Sequence, residues 1–257
     1  FHELGKLAGT EEFTQRSHPD PGAARVVGTL PGAQREVYVM GFDPERLNAR
    51  LVGACSERLM LRAPQLEDAF DLFDATRHPA FNEHLMWAAP RHLSSVVTRM
   101  KRVIARAQTG ACAAFCAVDR SSGRWVSLFR FEPREQQPTW AELGLWSHPA
   151  FWGSGHGEEV TRLAIEQAFS RSSLDAVLAC ASPRHKVSLR LLESCGLEPI
   201  GIEPRAHESG HQVPLMRMLM TRTRWRWLRT ESISGWLPGP EEIPAEVPAP
   251  SPSLRQH

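Results

Sequence analysis

The chain is 257 residues long, 42% of them apolar, with 30 basic side chains against 29 acidic ones. That length suits one full domain with extensions, and the near-balance of charge gives no global field for gathering nucleic acid or an anionic membrane. Five cysteines (Cys55, Cys112, Cys116, Cys180 and Cys195) form no C-x-x-C pair, which argues against a zinc cage and a disulfide framework.

Cys112, Cys116, Cys180 and Cys195 fall in apolar segments and read as small buried hydrophobes, which suits a reducing, cytoplasmic setting. There is no run of 18 apolar residues and no three-part leader, so no membrane span is expected. The first residue is Phe1 rather than Met, which leaves a preceding segment open.

Residues 1 to about 22 are polar and loop-like. Ala24 to Leu30 and Arg35 to Met40 are predicted as short strands turned by Pro31-Gly32, and Pro44 to Leu51 as a short helix. So small a region cannot bury a core of its own and is expected to pack on the domain C-terminal to it. Leu59, Leu61 and Ala63 alternate with Met60 and Arg62, the pattern of a half-buried strand. Leu66, Ala69, Phe70, Leu72 and Phe73 predict an amphipathic helix led by acidic residues, and His92 to Gln108 predicts a second, stopped by Gly110. Ala111 to Val118 and Trp125 to Phe131 read as strands joined by a turn at 119–123, and Trp140 to Ser147 as the next strand.

After Ser147 comes a glycine-rich stretch, Trp152-Gly153-Ser154-Gly155-His156-Gly157, then apolar positions Val160, Leu163, Ala164 and Ala168 at helical spacing. Alternate glycines before a helix remove Cβ atoms where several N–H groups can turn to one anion, and the helix dipole favours the same charge. A pyrophosphate fits such a turn, as does a tight connection whose glycines serve only packing. No Lys-Ser/Thr follows, so this is not a Walker loop, and the spacing is not the dinucleotide fingerprint.

Leu174 to Ala181 is then predicted as a strand, Lys186 to Cys195 as a helix ended by Gly196, and Pro199 to Glu203 with Gln212 to Met220 as a last strand pair. Arg222, Arg224, Arg226 and Arg229 interleave with Trp225 and Trp227. That run could meet RNA or anionic lipid, and more simply reads as a final strand with a charged edge and its tryptophans on the domain. The proline-rich tail from Gly235 is expected to be disordered. The succession of elements implies a mixed α/β sheet.

Three ordered segments carry a resemblance. Glu142-Leu-Gly-Leu-Trp146, Pro149 and Trp152 to Gly157 with Glu158-Glu159 resemble the acyl-CoA-binding segment of the GNAT N-acetyltransferases. They are most similar to the Rim-type branch, which contains the ribosomal-protein N-terminal acetyltransferases. Ser56 to Arg62 with Leu66 to Ala69 resembles that branch's opening strand and first helix, and Pro183 to Ser188 with Leu191 to Leu197 its late strand-to-helix segment. The resemblance implies a GNAT fold, with a mostly antiparallel mixed sheet flanked by helices. The implied layout is an N-terminal extension at 1–55, a GNAT domain at 56–223, and a basic, aromatic and then proline-rich tail at 224–257.

It implies as well acetyl-CoA as acyl donor, no metal, and a primary amine as acceptor, on a protein N-terminus or a small molecule. Nucleic acid is not an expected partner, and a homodimer is left open. Leu145, Trp146, Trp152, Gly153, Ser154, Gly155, His156, Gly157, His185 and Lys186 are the implied donor-binding residues. Arg184 and Arg190 join His185 and Lys186 as candidates for the coenzyme's phosphates, or as a solvated basic face.

A lysine with pKa about 10.4 is neutral about once in a few thousand at pH 7, and an α-amine near 8 about once in ten, so a base assists either. The resemblance gives Glu142 that role, with Glu132 and His148 as alternates, or makes Glu142 a structural carboxylate paired with arginine. It gives Ser188 the role of proton donor to the leaving thiolate, against that of a residue satisfying the helix start. His185 stands where the branch usually has Asn, and Trp152 where the wider superfamily often has Gln or Arg. The only tyrosine, Tyr38, lies outside the implied domain. His185 and the missing tyrosine keep open a non-catalytic acyl-CoA-binding or protein-interaction module. A third reading, an antibiotic-modifying transferase, would need a carboxylate-rich acceptor pocket, and the acidic residues show no such cluster in sequence.

Overall fold

The computed structural model describes residues 23–25 and 38–230, with side chains from residue 41 onward. β1 (Ala23–Arg25) and β2 (Tyr38–Met40) pair antiparallel, Ala23 opposite Met40. The predicted turn at Pro31-Gly32 and the tail from Gly235 lie outside the described residues. α1 (Pro44–Leu51) begins with proline, and the Asp43 carboxylate accepts from Arg46 N at 2.9 Å, a side-chain cap of the first turn. Leu47 and Leu51 on α1 are fully buried, so this helix is part of the core. Asn48 donates to Ala107 O and Cys112 O and accepts from Ala114 N, all at 3.0 Å.

Seven strands form the sheet: β3 (Leu59–Arg62), β4 (Ala113–Asp119), β5 (Trp125–Arg134), β6 (Gln137–Ser147), β7 (Ala176–Ala181), β8 (Glu198–Ala206) and β9 (Gln212–Thr221). Their order is β3-β4-β5-β6-β7-β9-β8, antiparallel throughout except for the parallel pair β6 and β7. The helices are α2 (Asp68–Thr76), the single turn α3 (Pro79–Asn82), α4 (Leu93–Gln108), α5 (His156–Arg171), α6 (Lys186–Ser194) and α7 (Arg222–Thr230).

Strand alternation sorts the core into two layers. Phe115, Phe129, Phe131, Leu143 and Val177 pack with Leu47, Leu51 and the apolar stripe of α5, whereas Ala114, Cys116 and Leu128 pack with α2 and α4. Burying a phenylalanine of this kind stabilises the fold by about 1.5–3 kcal/mol. Cys112, Cys116 and Cys195 are buried, Cys180 is half-buried and Cys55 is exposed, all as free thiols.

Two differences from the expectations have clear causes. Turn α3 was not foreseen, because its four residues, Pro79 to Asn82, are too few for a periodic signal. The run expected as a final strand edge is the helix α7. A strand would put Trp225 and Trp227 on one face, but the helix separates them: Trp225 is 5% exposed and Trp227 51%. The Trp225 indole donates to the buried Glu166 at 2.9 Å. The Arg222 guanidinium donates to the carbonyls of Phe169, Ser172 and Leu174 at 2.7 to 2.8 Å, around the C-terminal end of α5.

Candidate active site

The parallel ladder between β6 and β7 runs only from Trp140 opposite Ala176 to Leu143 opposite Ala179. Beyond it β6 continues through Gly144, Leu145, Trp146 and Ser147, paired on its other edge with β5, while Cys180 and Ala181 of β7 stay paired with β9. The sheet therefore opens between the two strands. The freed edge of β6 is a row of backbone donors and acceptors that an extended ligand's amides can pair. Leu145 and Trp146 stand on this edge and pack into the two opposite core layers. A Cβ on Gly144 would lie 3.1 Å from the Trp146 ring, so the glycine lets that ring lie along the strand.

Both strands lead into helices whose N-termini meet the same opening. After β6, a 3-10 turn (Pro149–Phe151) brings the chain to the glycine stretch. Gly153 has φ +70° and Gly155, the N-cap of α5, has φ +82°, conformations that L-residues rarely adopt. No side chain caps α5, so the N–H groups of its first turn face the opening without a side-chain acceptor. Ser154 Oγ is occupied instead, donating to Phe151 O at 2.6 Å and bonded to His156 Nδ1 at 2.7 Å. His156 Nε2 lies 3.6 Å from Asp119, whose carboxyl the Ser121 and Ser122 hydroxyls hold well below the usual range.

Gly157 differs from its neighbours. It lies inside the first turn of α5, and a Cβ there would meet the Leu191 side chain of α6 at 3.7 Å. Gly153 and Gly155 thus set the turn through their positive φ, whereas Gly157 has an ordinary helical backbone and faces α6. Trp152, half-exposed, donates from its indole to Ser147 O at 3.1 Å.

Arg58 completes this wall. Its Nη1 donates to Ser154 O at 2.9 Å, and a Cβ on Gly155 would lie 3.2 Å from Nη2. Glu159 fixes it, accepting from Arg58 Nε and Ser56 Oγ at 2.6 Å and from Arg58 N at 2.9 Å. Burial works against the Glu159 carboxylate, but these three donors outweigh it and hold the group below its ordinary pKa.

On the β7 side, Ser182 to His185 lead into α6, with His185 at its N-cap. Ser188, in the first turn, is half-exposed, and its hydroxyl has no hydrogen-bond partner among the described residues. Lys186, Arg184 and Arg190 are exposed and make no ion pair among the described residues. The His185 ring stacks on His84 at 4.3 Å, and burial followed by the charge of His84 depresses its pKa. His78 meets Trp152 edge-on at 5.1 Å. Turn α3 thus bridges the mouth of the opening, touching the glycine turn through one histidine and the start of α6 through another.

Glu142 stands on β6 beside the last rungs of the ladder and is held by two arginines. Arg134 Nη1 donates to Oε2 at 2.9 Å and Arg205 Nη2 to the same oxygen at 3.0 Å, while Arg205 Nη1 donates to Oε1. A carboxylate offers about four lone-pair sites, so three donors leave about one for an amine or a water. Arg205 also binds Glu203 and approaches Cys180 Sγ at 3.4 Å. Burial, then the charge of Glu142, pushes the Cys180 thiol up to about 12, leaving it a poor nucleophile.

Glu132 lies directly opposite Glu142 across the strands and is paired with Arg106 and Arg130. His148 caps the 3-10 turn, its Nδ1 accepting from Ala150 N at 3.1 Å, and its Nε2 lies 3.3 Å from Asp74. The opening thus brings together Glu142, the glycine turn and the start of α6, while His148 is committed to its own turn.

Sequence reasoning missed the arginines. Arg130 and Arg134 alternate with Glu132 along β5, and Arg99, Arg102 and Arg106 recur at i, i+3 and i+7 along α4. Each pattern was visible, but only packing and register bring Arg99, Arg102 and Arg106 together with Arg130 and Glu132 around one recess of about 330 Å³, Glu132 standing opposite Glu142. Among the described residues no cluster of His, Cys, Asp or Glu could hold a metal ion, and no helix is long and apolar enough to cross a membrane.

Comparison with known proteins agrees with this geometry. Residues 58–198, just over half of the chain, match the family model described as the acetyltransferase (GNAT) domain. An uncharacterised N-acetyltransferase, p20, of Bacillus licheniformis is 22% identical over 147 residues, 57% of this chain and 83% of that protein. The ribosomal L7/L12 α-N-protein acetyltransferase RimL, solved with coenzyme A, superposes with TM-score 0.57 at 13% identity, over 66% of this chain and 97% of RimL. Spermidine N-acetyltransferase from Vibrio cholerae, solved with coenzyme A and spermine, gives TM-score 0.56 at 15% identity, over 66% and 98%. At these identities the structural likeness speaks for the fold.

Proposed function

Because the chain belongs to the GNAT acetyltransferase family, and with it to the acyl-transferring enzymes, we propose that it is an N-acetyltransferase. In this reading it moves acetyl directly from acetyl-CoA to a primary amine, on a protein N-terminus or a small molecule, in the cytoplasm. The observation that carries the proposal is the opening between β6 and β7, flanked by an α5 N-terminus without a side-chain cap and with Glu142 beside its ladder. The residues suit the donor. Gly153 and Gly155 keep the turn free of side chains, Arg58 adds a cation beside it, and Leu145 and Trp146 offer a free strand edge to amides. Acetyl-CoA brings the acyl group already activated as a thioester.

The remaining work is proton management. One N–C bond forms as one S–C bond breaks, and the net change moves a proton from the amine to the thiol. Glu142, with about one lone-pair site unused, accepts the amine proton directly or through one water. Arginines near the amine disfavour its ammonium form and so raise the neutral fraction. Ser188, whose hydroxyl is uncommitted, donates to the leaving thiolate.

The test is free-thiol release from acetyl-CoA against a panel of peptides and small amines. Release that depends on the amine supports transfer. Tight binding of acetyl-CoA with no release from any amine would instead favour the non-catalytic module.

A further inference from the structure

The recess beside Glu142 has a composition that neither the fold nor the donor requires. It is lined by Arg99, Arg102, Arg106 and Arg130, with Val103 and one carboxylate, Glu132. A smaller cavity of about 60 Å³ shares Arg99, Val103 and Arg130 with it and ends against Trp87 and Trp146. Together they form a trough between α4 and the sheet, on the face where Glu142 stands.

Charge in this trough is not balanced locally. Glu132 is shared by Arg106 and Arg130, and Arg99 meets Glu208 at 3.3 Å from the tip of the β8–β9 hairpin. Arg102 is exposed and has no ion-pair partner among the described residues. Four guanidinium groups therefore face two carboxylates even when Glu208 is counted. Two of the four lie over aromatic rings, Arg99 on Trp87 at 4.2 Å and Arg130 on Trp146 at 4.9 Å. A guanidinium can bind carboxylate or phosphate with two parallel N–H groups, and an aromatic ring beneath it limits its freedom. Arg130 Nε is buried with no hydrogen-bond partner, so the donors of this residue are not all satisfied within the protein.

Resting on the transferase reading, we propose that the acceptor is an amine carrying a carboxylate or phosphate close to its amino group, and that these arginines select it. A polycation such as a polyamine would meet net positive charge there and be disfavoured. Trp87 and Trp146 give the acceptor an apolar wall at the other end of the trough.

The experiment compares two N-terminal peptides of equal length, Ser-Glu-Asp-Glu-Gly and Ser-Lys-Arg-Lys-Gly, with spermidine as a third acceptor, by thiol release and by calorimetric binding to the coenzyme A-loaded protein. The acidic peptide should exceed the other two at least tenfold in kcat/KM. Arg102→Glu, at an exposed position without an ion pair, should fold as the parent does and bind acetyl-CoA unchanged, yet lower the acidic peptide's kcat/KM about tenfold. Equal use of all three acceptors, preference for the basic ones, or indifference to Arg102→Glu would overturn the inference and leave the transferase reading intact. If no acceptor releases thiol while the acidic peptide still binds at least tenfold tighter than the basic one, the inference holds and the transferase reading fails. If neither peptide binds, the inference is overturned.

Discussion

The two walls of the opening are built on different principles. The wall from Trp152 to Gly157 is largely backbone: glycines at φ +70° and +82°, a helix start without a side-chain cap, and one arginine tied down by Glu159. The face around Glu142 is all side chain, a lattice of arginines and glutamates gathered from β5, β6, β8 and α4. A backbone site recognises what every acyl-CoA shares, whereas a side-chain site can be rewritten one residue at a time.

The largest effect should come from the side-chain wall. Glu142→Gln removes the carboxylate proposed as the base while keeping its shape, and turnover at pH 7 should fall by about 10²–10⁴, the usual worth of a positioned base. The acetyl-CoA affinity should stay within a few-fold, and the loss should shrink as pH rises toward the pKa of the amine. Because Arg134 and Arg205 lose part of their partner, a small fall in melting temperature should accompany it. Unchanged turnover would make Glu142 a structural carboxylate.

Gly196→Ala probes the frame that holds both walls. At φ +87°, its Cβ would lie 2.5 Å from Leu228 Cδ1 on α7 and 2.9 Å from Met220 Cε on β9. Strain plus overpacking should destabilise the protein by about 1–3 kcal/mol, a fall of several degrees in melting temperature. The acetyl-CoA affinity should not follow, and a parallel loss would mean that α7 supports the donor wall.

The smallest effect concerns His185. Its pKa in the folded protein lies below the ordinary 6.5, so between those two values the unfolded chain binds more protons than the folded one. Stability should therefore decline as pH falls below about 6.5, by at most about 1.4 kcal/mol per pH unit, until the folded-state pKa is passed. His185→Asn should flatten that slope in melts recorded from pH 7 to 5. An equal slope in the variant would assign the effect to other groups.

The same contrast explains what the sequence disclosed. The glycine turn, the strand before it and the helix after it are contiguous, so period and glycine spacing were enough to read them. Leu59 to Arg62, the α4 helix and Gly196 at the end of α6 were legible for the same local reason. That Gly157 faces Leu191 was not legible, because Leu191 lies on another helix. The α7 helix was missed because Glu166, which binds Trp225, lies 59 residues earlier in the chain. The arginine trough combines residues of α4 with residues of β5, an association set by packing and register rather than by pattern along the chain.

The account stands most directly on calorimetric titration of acetyl-CoA into Gly155→Glu. The substitution puts a side chain and a negative charge at the N-cap of α5, next to Arg58, in a turn that glycine alone adopts freely. The parent should bind one equivalent, and the variant at least ten times more weakly while melting within several degrees of the parent. A variant that binds acetyl-CoA as tightly as the parent would contradict the assignment of the donor to this turn.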